Sequence, residues 1–407
     1  MLPVQICPEI FWIGLNDRTT DLFEGLWPVK QEGVSLNSYF IDDEKKVIVD
    51  ATRQITLGEM LGQLAYFTDL SNVDYLVLNH MEPDHTGALS VLRQMSPHAT
   101  ILCSERAAKM LAQFYGISAG VRVVADGETL NLGRHTLKFV STPNLHWPET
   151  MMTLDVTEKV LFSCDAFGGF GSLEGSIFDN DVADLEFYER EALRYYTNII
   201  GGRFRPVLSA LRKLADEQVA VIAPSHGLVW RGNPGRIIDL YRHWAELTDG
   251  PGEVGVTVIH GSMHGDTDRM AEAVQAGLQD EGMPFTSFEI THTHPSYILP
   301  ALWLNQGVLV GAPTYEGEIF PPVSNLMHTV RMKRLKGRLA ARFGSYGWSG
   351  GAQRAFEAQT AEVNWNLGGS FEFIGSPTAD DMRKGREFGA AFARQVRQVV
   401  ALPVEVA

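Results

Sequence analysis

Between residues 80 and 85 the chain places four side chains able to bind a metal ion, His80, Glu82, Asp84 and His85, in the segment NHMEPDHTGAL. They follow the apolar run Val73–Leu78, which reads as a short buried strand, and Pro83 and Gly87 shape the turn behind it. A His-x-Glu-x-Asp-His array just past a strand end can turn alternate side chains toward one point. Three more candidates stand near other strand ends: His146 in HWPETM, Asp165 in SCDAFGG and His226 in PSHGLVW. Together they form an imidazole and carboxylate set without thiolate, in which Asp165 could bridge two ions. Any one such histidine alone is more often a hydrogen-bonded core or surface residue. Four metal-competent side chains within six residues are not explained that way.

The 407 residues exceed the roughly 250–300 beyond which a single hydrophobic core stops growing, so two domains are expected. The break falls at Thr248-Asp249-Gly250-Pro251-Gly252, turn formers that run straight into the apolar stretch Val254–Ile259. This sets the domains at residues 1–250 and 251–407. Most of the net charge of −15 lies in the first, and such a balance leaves no basic footprint for nucleic acid. No apolar run reaches the ~20 residues of a membrane span. The opening MLPVQICPEIFWIGL lacks the basic start of a signal peptide, so a cytoplasmic location is expected. Cys7, Cys103 and Cys164 are scattered and form no Cys-x-x-Cys pair. That excludes a disulfide framework, a zinc ribbon and a fused rubredoxin-type iron centre.

In the first domain, strand candidates at Ser38–Ile41, Val47–Val49, Val73–Leu78, Ala99–Cys103, Leu137–Val140, Met151–Leu154, Val160–Ser163 and Val219–Ala223 accompany a helix at Thr56–Phe67. Mixed strands and helices of this kind predict two packed sheets with helices outside. In the second, strands at Val254–Ile259, Pro284–Ile290, Gly307–Val310, Leu339–Phe343 and Ser370–Ile374 alternate with helices at Asp268–Gln279, Pro322–Leu335, Ala352–Ala361 and Asp380–Val399. Five strands alternating with helices predict a doubly wound parallel sheet.

Three turns of the second domain should meet at the carboxyl ends of its strands. In HGSMHGDTDRMA, the hydroxyls of Ser262 and Thr267 and the backbone of Met263, His264, Gly265 and Asp266 suit a phosphate at a helix N-terminus. The segment is not GxxxxGK[ST], so a Walker nucleotide site is not supported. GAPTYEGEIFPP and GSYGWSGGA follow the third and fourth strands and bring Tyr315, Tyr346 and Trp348, rings able to border a flavin. Two features are set aside: His292-Thr-His294 reads as a strand-end loop, and the basic run Arg331 to Arg338, with Arg342, as a solvated helix face.

The first 250 residues resemble the metallo-β-lactamase fold, whose usual signature is His-x-His-x-Asp-His; Glu82 replaces the second histidine. A carboxylate is a harder ligand than imidazole and shifts preference from zinc toward iron or manganese. The second domain resembles flavodoxin. With HWPETM, CDAFG and PSHG also present, the whole chain resembles the flavodiiron proteins. The resemblance implies an αββα sandwich followed by a five-stranded flavodoxin-like sheet. It implies two iron ions, one on His80, Glu82 and His146, the other on Asp84, His85 and His226, with Asp165 between them. FMN would lie against residues 262–267, against Pro313, Thr314, Tyr315, Glu316 and Gly317, and against Ser345, Tyr346, Gly347, Trp348 and Gly350. Asp266 and Glu316-Gly317 stand where Asn is common, and their added negative charge would lower the flavin potential.

The implied activity is reduction of O2 to water with four electrons, of NO to N2O with two, or both. FMN and a diferrous pair carry two electrons each. Domains of these sizes have radii of gyration of about 18 and 15 Å, too large for efficient transfer between their centres within one chain. A head-to-tail homodimer, or a dimer of dimers, would set the flavin of one chain against the irons of the other. With no rubredoxin or flavin-reductase module appended, electrons should come from a separate donor, a rubredoxin-like protein or reduced coenzyme F420. Two other readings compete. One is a zinc-dependent hydrolase of the metallo-β-lactamase superfamily with an accessory flavodoxin domain, against which Glu82 speaks. The other is a flavodoxin-like electron carrier on a scaffold, which would lack ligands, and none is missing.

Overall fold

The apolar run before the histidine array becomes a buried strand, Tyr75–Leu78, inside a seven-stranded sheet. The computed structural model describes residues 2–401. The chain divides into two units, one ending at Arg242 and the other starting at His243.

In the first unit the sheet runs β1 (Val4–Cys7), β2 (Ile10–Trp12), β3 (Tyr39–Ile41), β4 (Val47–Val49), β5 (Tyr75–Leu78), β6 (Thr100–Cys103) and β7 (Val121–Val123). Pairing is antiparallel from β1 to β4 and parallel from β4 to β7. Tyr39–Ile41 and Val47–Val49 form the hairpin expected around Asp42-Asp43. Four helices follow from this part of the chain: α1 (Leu57–Leu64), the single turn α2 (Pro83–Thr86), α3 (Leu89–Met95) and α4 (Glu105–Tyr115). Met60, Leu64, Leu89, Leu92, Ala107 and Leu111 from α1, α3 and α4 cover one face of the sheet, against Ile48, Leu76 and Ile101. Each fully buried aliphatic side chain there contributes about 1.5–3 kcal/mol.

A second sheet holds β8 (Thr129–Asn131), β9 (Thr136–Ser141), β10 (Met151–Asp155), β11 (Val160–Cys164) and β12 (Val221–Pro224), antiparallel except for the parallel β11–β12 pair. The helices α5 (Leu185–Tyr195) and α6 (Phe204–Leu214) belong to this half, and α7 (Pro234–Glu246) begins in it and runs past its end at Arg242. The two sheets pack face to face. The Tyr39 ring lies 5.1 Å from that of Phe162, and its hydroxyl donates to Pro224 O at 2.6 Å. This is the expected sandwich, and the loops after β5, β11 and β12 leave it close together.

The second unit is one parallel sheet in the order β14-β13-β15-β16-β17, where β13 is Glu253–His260, β14 Phe285–Glu289, β15 Asn305–Gly311, β16 Leu339–Tyr346 and β17 Asn366–Ile374. That is the flavodoxin order 2-1-3-4-5. Helices α8 (Asp266–Asp280) and α12 (Ala379–Ala401) pack on one face through Met270, Val274, Phe392 and Val396, which meet Val256, Val258, Ala341 and Phe343. The remaining helices are α9 (Pro295–Leu304), α10 (Pro321–Lys333) and α11 (Ala352–Glu362).

Two differences from the sequence reading stand out. Helix α9 was not among the helices expected. Its sequence PSYILPALWL is apolar on nearly every side and carries Pro300 internally, so it shows no amphipathic stripe. His294 caps it, Nδ1 accepting from Ser296 N at 3.1 Å. The basic run is also not one solvated helix face: Arg331 and Lys333 end α10, while Arg338 and Arg342 are fully buried. Arg338 donates to the carbonyls of Leu247, Gly250, Leu302, Trp303 and Lys336. Among the described residues no helix is long and apolar enough to cross a membrane.

Candidate functional site

The local chain explains how one short segment supplies two sets of ligands. Glu82 is still extended, with φ −64° and ψ 144°, and Pro83 then starts the turn of α2, as its fixed φ and missing N–H allow. Glu82 therefore points away from Asp84 and His85, which lie on the turn itself. Asp165 follows β11, whose last residue Cys164 has φ +55°. His226 follows β12, and Gly227 behind it has φ +75°; a Cβ there would lie 2.8 Å from the backbone N of Gly169. The glycines of CDAFGG and PSHG thus let two loops touch backbone to backbone.

All seven expected ligands converge. Around Asp165 Oδ2 stand His80 Nε2 at 3.4 Å and His146 Nε2 at 3.3 Å, and Glu82 Oε2 is 3.2 Å from each of those nitrogens. Around Asp165 Oδ1 stand His85 Nε2 at 3.2 Å and His226 Nε2 at 3.4 Å; Asp84 reaches them with Oδ1 at 3.4 Å and Oδ2 at 3.3 Å. Donor atoms bound at about 2.0–2.2 Å around one ion lie about 3.0–3.4 Å apart, which is the spacing seen. Charge-assisted hydrogen bonds would be shorter, about 2.7–2.9 Å. Both oxygens of Asp84, Oδ2 of Asp165 and the Nε2 atoms of His85, His146 and His226 are buried without a hydrogen-bond partner among the described residues. Native proteins rarely leave such groups unpaired, so the residues fit a pair of cations sharing Asp165.

Electrostatics agree. Burial disfavours charge on every one of these rings, yet the facing carboxylates outweigh it. Asp165 and Glu82 push the His146 pKa up to about 10, and Asp165 and Asp84 push that of His226 up to about 9. His85 is raised well above its ordinary value by Asp84 and Asp165. Burial acts against ionisation of Glu82, but His146 and His80 hold it below the usual carboxylate range; Asp165 is held far below it by His85, His146 and His226. The anions are in place, and cations in place of these protons would complete the balance.

Apolar and aromatic groups wall the site. Phe23 meets the His226 ring edge-on at 5.3 Å, and Trp147 meets His80 at 5.0 Å. A cavity of about 400 Å³ lined by Leu22, Phe23, Arg53, Glu82 and Asp84 opens beside the ligands, ample for a diatomic molecule.

In the second unit the three expected loops also come together. Ser262 Oγ accepts from Gly265 N at 2.9 Å and from Thr267 N at 3.3 Å, which shapes the turn into α8. Thr267 Oγ1 is buried there without a partner among the described residues, at the positive end of a fifteen-residue helix, as a phosphate site requires. Asp266 Oδ1 accepts from Ser376 Oγ at 2.7 Å, and Met263 and His264 are exposed. Thr314–Tyr315 and Glu318–Ile319 form a hairpin around Glu316-Gly317, and Thr314 Oγ1 accepts from Ala352 N at 3.4 Å. Pro313 is buried beneath that hairpin. Ser345 and Tyr346 end β16, and Gly347, Trp348 and Gly350 form an exposed loop in which Trp348 is 94% exposed. Trp348 therefore projects away from the described residues of its own unit.

Residues 34–227 match the ODP family beta lactamase and residues 258–389 match flavodoxin. A nitric oxide reductase of Moorella thermoacetica is 32% identical over 405 residues, covering 97% of this chain and 99% of that protein. The rubredoxin oxygen:oxidoreductase of Desulfovibrio gigas superposes with a TM-score of 0.92 at 28% identity, covering 98% of this chain and 100% of that one. The flavodiiron protein of Giardia intestinalis also gives 0.92 at 28% identity, with 98% of each chain covered. The chain belongs to the flavodiiron protein family.

Three supports of this flavodiiron-type site were not read from the sequence. Glu149 Oε1 is 2.6 Å from His80 Nδ1. The carbonyl of Ser35 is 2.8 Å from His226 Nδ1. Tyr195, fully buried at the end of α5 where the helix widens into a π turn, donates its hydroxyl to Asp165 Oδ1 at 3.0 Å. Glu149 stands in the quoted HWPETM, but only its place in space shows what it holds; Ser35 and Tyr195 carry no sequence signal.

Proposed function

We propose that this chain is a flavodiiron reductase in which residues 1–250 hold two iron ions, residues 251–407 hold FMN, and O2 is reduced to water, NO to N2O, or both. Asp165 is the observation that carries the reading: its two oxygens face two separate sets of histidine and carboxylate donors. His80, Glu82 and His146 would bind one ion, and Asp84, His85 and His226 the other. With both cofactors bound, two electrons on the flavin and two on the irons match O2 + 4e⁻ + 4H⁺ → 2H2O, and two suffice for 2NO + 2e⁻ + 2H⁺ → N2O + H2O.

The chain's own residues prepare this chemistry. Glu149 and the Ser35 carbonyl fix the ring nitrogens of His80 and His226, so that Nε2 of each faces the cluster. Phe23 and Trp147 limit water around the ligands, and the cavity beside Glu82 admits the gas. In the second unit Ser262, Thr267 and the start of α8 would take the FMN phosphate, and the Pro313–Gly317 and Ser345–Gly350 loops would flank the ring. The exposure of Trp348 supports a head-to-tail dimer in which this loop meets another chain. A separate donor, a rubredoxin-like protein or reduced F420, would supply electrons in the cytoplasm.

The test is to reduce the iron- and FMN-loaded protein without air and mix it rapidly with O2 or with NO while following flavin absorbance. Fast reoxidation by O2 or by NO with N2O formed supports the reading and assigns the substrate. Reoxidation by neither gas faster than free FMN, with zinc bound and esterase activity present, would replace it by the zinc hydrolase. A monomeric variant should keep both cofactors and lose turnover.

A further inference from the structure

Arg342 does something a structural arginine would not need to do. It is the fourth residue of β16, and its side chain has no exposed surface. Its strand neighbours Ala341 and Phe343 belong to the core beneath α8 and α12, so Arg342 faces the other side of the sheet. There Nη2 donates to Ala312 O at 2.7 Å and Nη1 to Glu372 Oε1 at 2.8 Å. Nε is buried with no acceptor among the described residues.

Both partners belong to the flavin end of the sheet. Ala312 immediately precedes the Pro313–Gly317 loop. Glu372 lies on β17 beside the other loop: a Cβ on Gly350 would be 4.0 Å from its Oε2. Gly344 makes room for the contact, since a Cβ there would sit 1.9 Å from Ala312 O and 3.0 Å from Arg342 Nη2. Burying an ion pair of this kind seldom adds stability over apolar packing, and its neighbours on the strand, Ala341 and Phe343, are themselves buried apolar residues. The guanidinium is therefore not explained by the fold alone.

We propose that Arg342 is a positioning residue for the flavin: it ties the start of the Pro313–Gly317 loop to Glu372 on β17, beside the Ser345–Gly350 loop, and places a buried cation there that favours the reduced, more negative flavin, with Glu372 offsetting part of that charge. This rests on the reading that these loops hold FMN. In a low-dielectric setting a fixed charge acts strongly on a neighbouring redox group.

The test is an anaerobic redox titration of the FMN-loaded, full-length protein and its variants. Arg342→Met should weaken reduced FMN relative to oxidised FMN about tenfold, a midpoint about 30 mV more negative for a two-electron couple. Glu372→Gln, at a partly exposed position that threatens folding little, should move the midpoint the opposite way. Arg342→Lys should stay near the wild type in potential while binding FMN less tightly. Shifts of the same sign in Arg342→Met and Glu372→Gln, or no shift in Glu372→Gln, would overturn the assignment. A wild-type protein that took up no FMN would instead overturn the flavin reading beneath it.

Discussion

Glu149 Oε1 lies 2.6 Å from Nδ1 of His80, with both side chains shut off from solvent. The same oxygen accepts from the backbone N of Met81 at 3.0 Å, so Glu149 is itself fixed. An imidazole that donates from Nδ1 to a carboxylate presents its Nε2 lone pair in one direction and is more basic for it. His80 Nε2 consequently faces Glu82, His146 and Asp165.

Glu149→Gln should lower iron affinity at the His80 set by roughly 10–100-fold while the chain stays folded. Chelator competition reads this directly. Unchanged affinity, with unchanged far-UV circular dichroism, would show that the hydrogen bond does nothing for the metal.

Asp165 offers one oxygen to each set, so Asp165→Asn should remove the link between the two ions. The iron content should fall from two per chain toward one or fewer, and Mössbauer spectra should lose the signature of a coupled pair. Retention of two coupled irons would exclude Asp165 as the bridge.

Thr267 Oγ1 is buried at the start of α8 with no partner among the described residues. A hydrogen bond to a charged group contributes about 1.5–3 kcal/mol, so Thr267→Val should weaken FMN binding by roughly ten- to a hundredfold. Riboflavin, which has no phosphate, should bind the variant and the wild type alike. Fluorescence titration of the apoprotein with each ligand separates the two, and equal losses for both would place the phosphate elsewhere.

Far from the ligands, His135 is buried with Nδ1 3.2 Å from Asp155 Oδ2 and Nε2 3.2 Å from Glu9 Oε2; its backbone N donates to Asp43 Oδ2 at 2.7 Å. Burial pulls its pKa down, but Asp155 and Glu9 raise it above the ordinary value on balance. A raised folded pKa gives stability that is full below the unfolded value, about 6.5, and is lost as pH climbs through the folded one. His135→Gln should therefore cost most below about pH 6.5 and progressively less as the pH rises above that value. Urea melts at stepped pH measure this. A cost that does not change with pH would mean that the folded state does not raise the His135 pKa.

The candidate metal site was largely legible because its chemistry is crowded: four donors in six residues, and three more near strand ends, two of them with glycines close behind. What could not be read was whatever depends on distant parts of the chain meeting. Tyr195 reaches Asp165 from the end of α5, and the Ser35 carbonyl reaches His226 from residue 35; neither residue type signals such a role. The sheet of the second unit was legible from its alternating pattern, whereas α9 was not, because a helix buried on nearly all sides loses its period. Arg342 was misread for a related reason. Charge in sequence suggests solvent, and only the partners on Ala312 and Glu372 explain a guanidinium inside the sheet.

The donors are strung from residue 80 to residue 226 on loops from two different sheets, and this has a consequence for how the protein acquires its ions. Contacts so far apart in sequence close late in folding. At about 5–20 residues per second, the about 140 residues from His85 to His226 take on the order of ten seconds to synthesise. During that interval HMEPDH is an open, weak chelator that any divalent ion can visit and leave. The choice of metal is made only afterwards, when the sheets meet and the rings are locked. The finished cage therefore selects its occupants by shape and donor hardness, not by order of arrival.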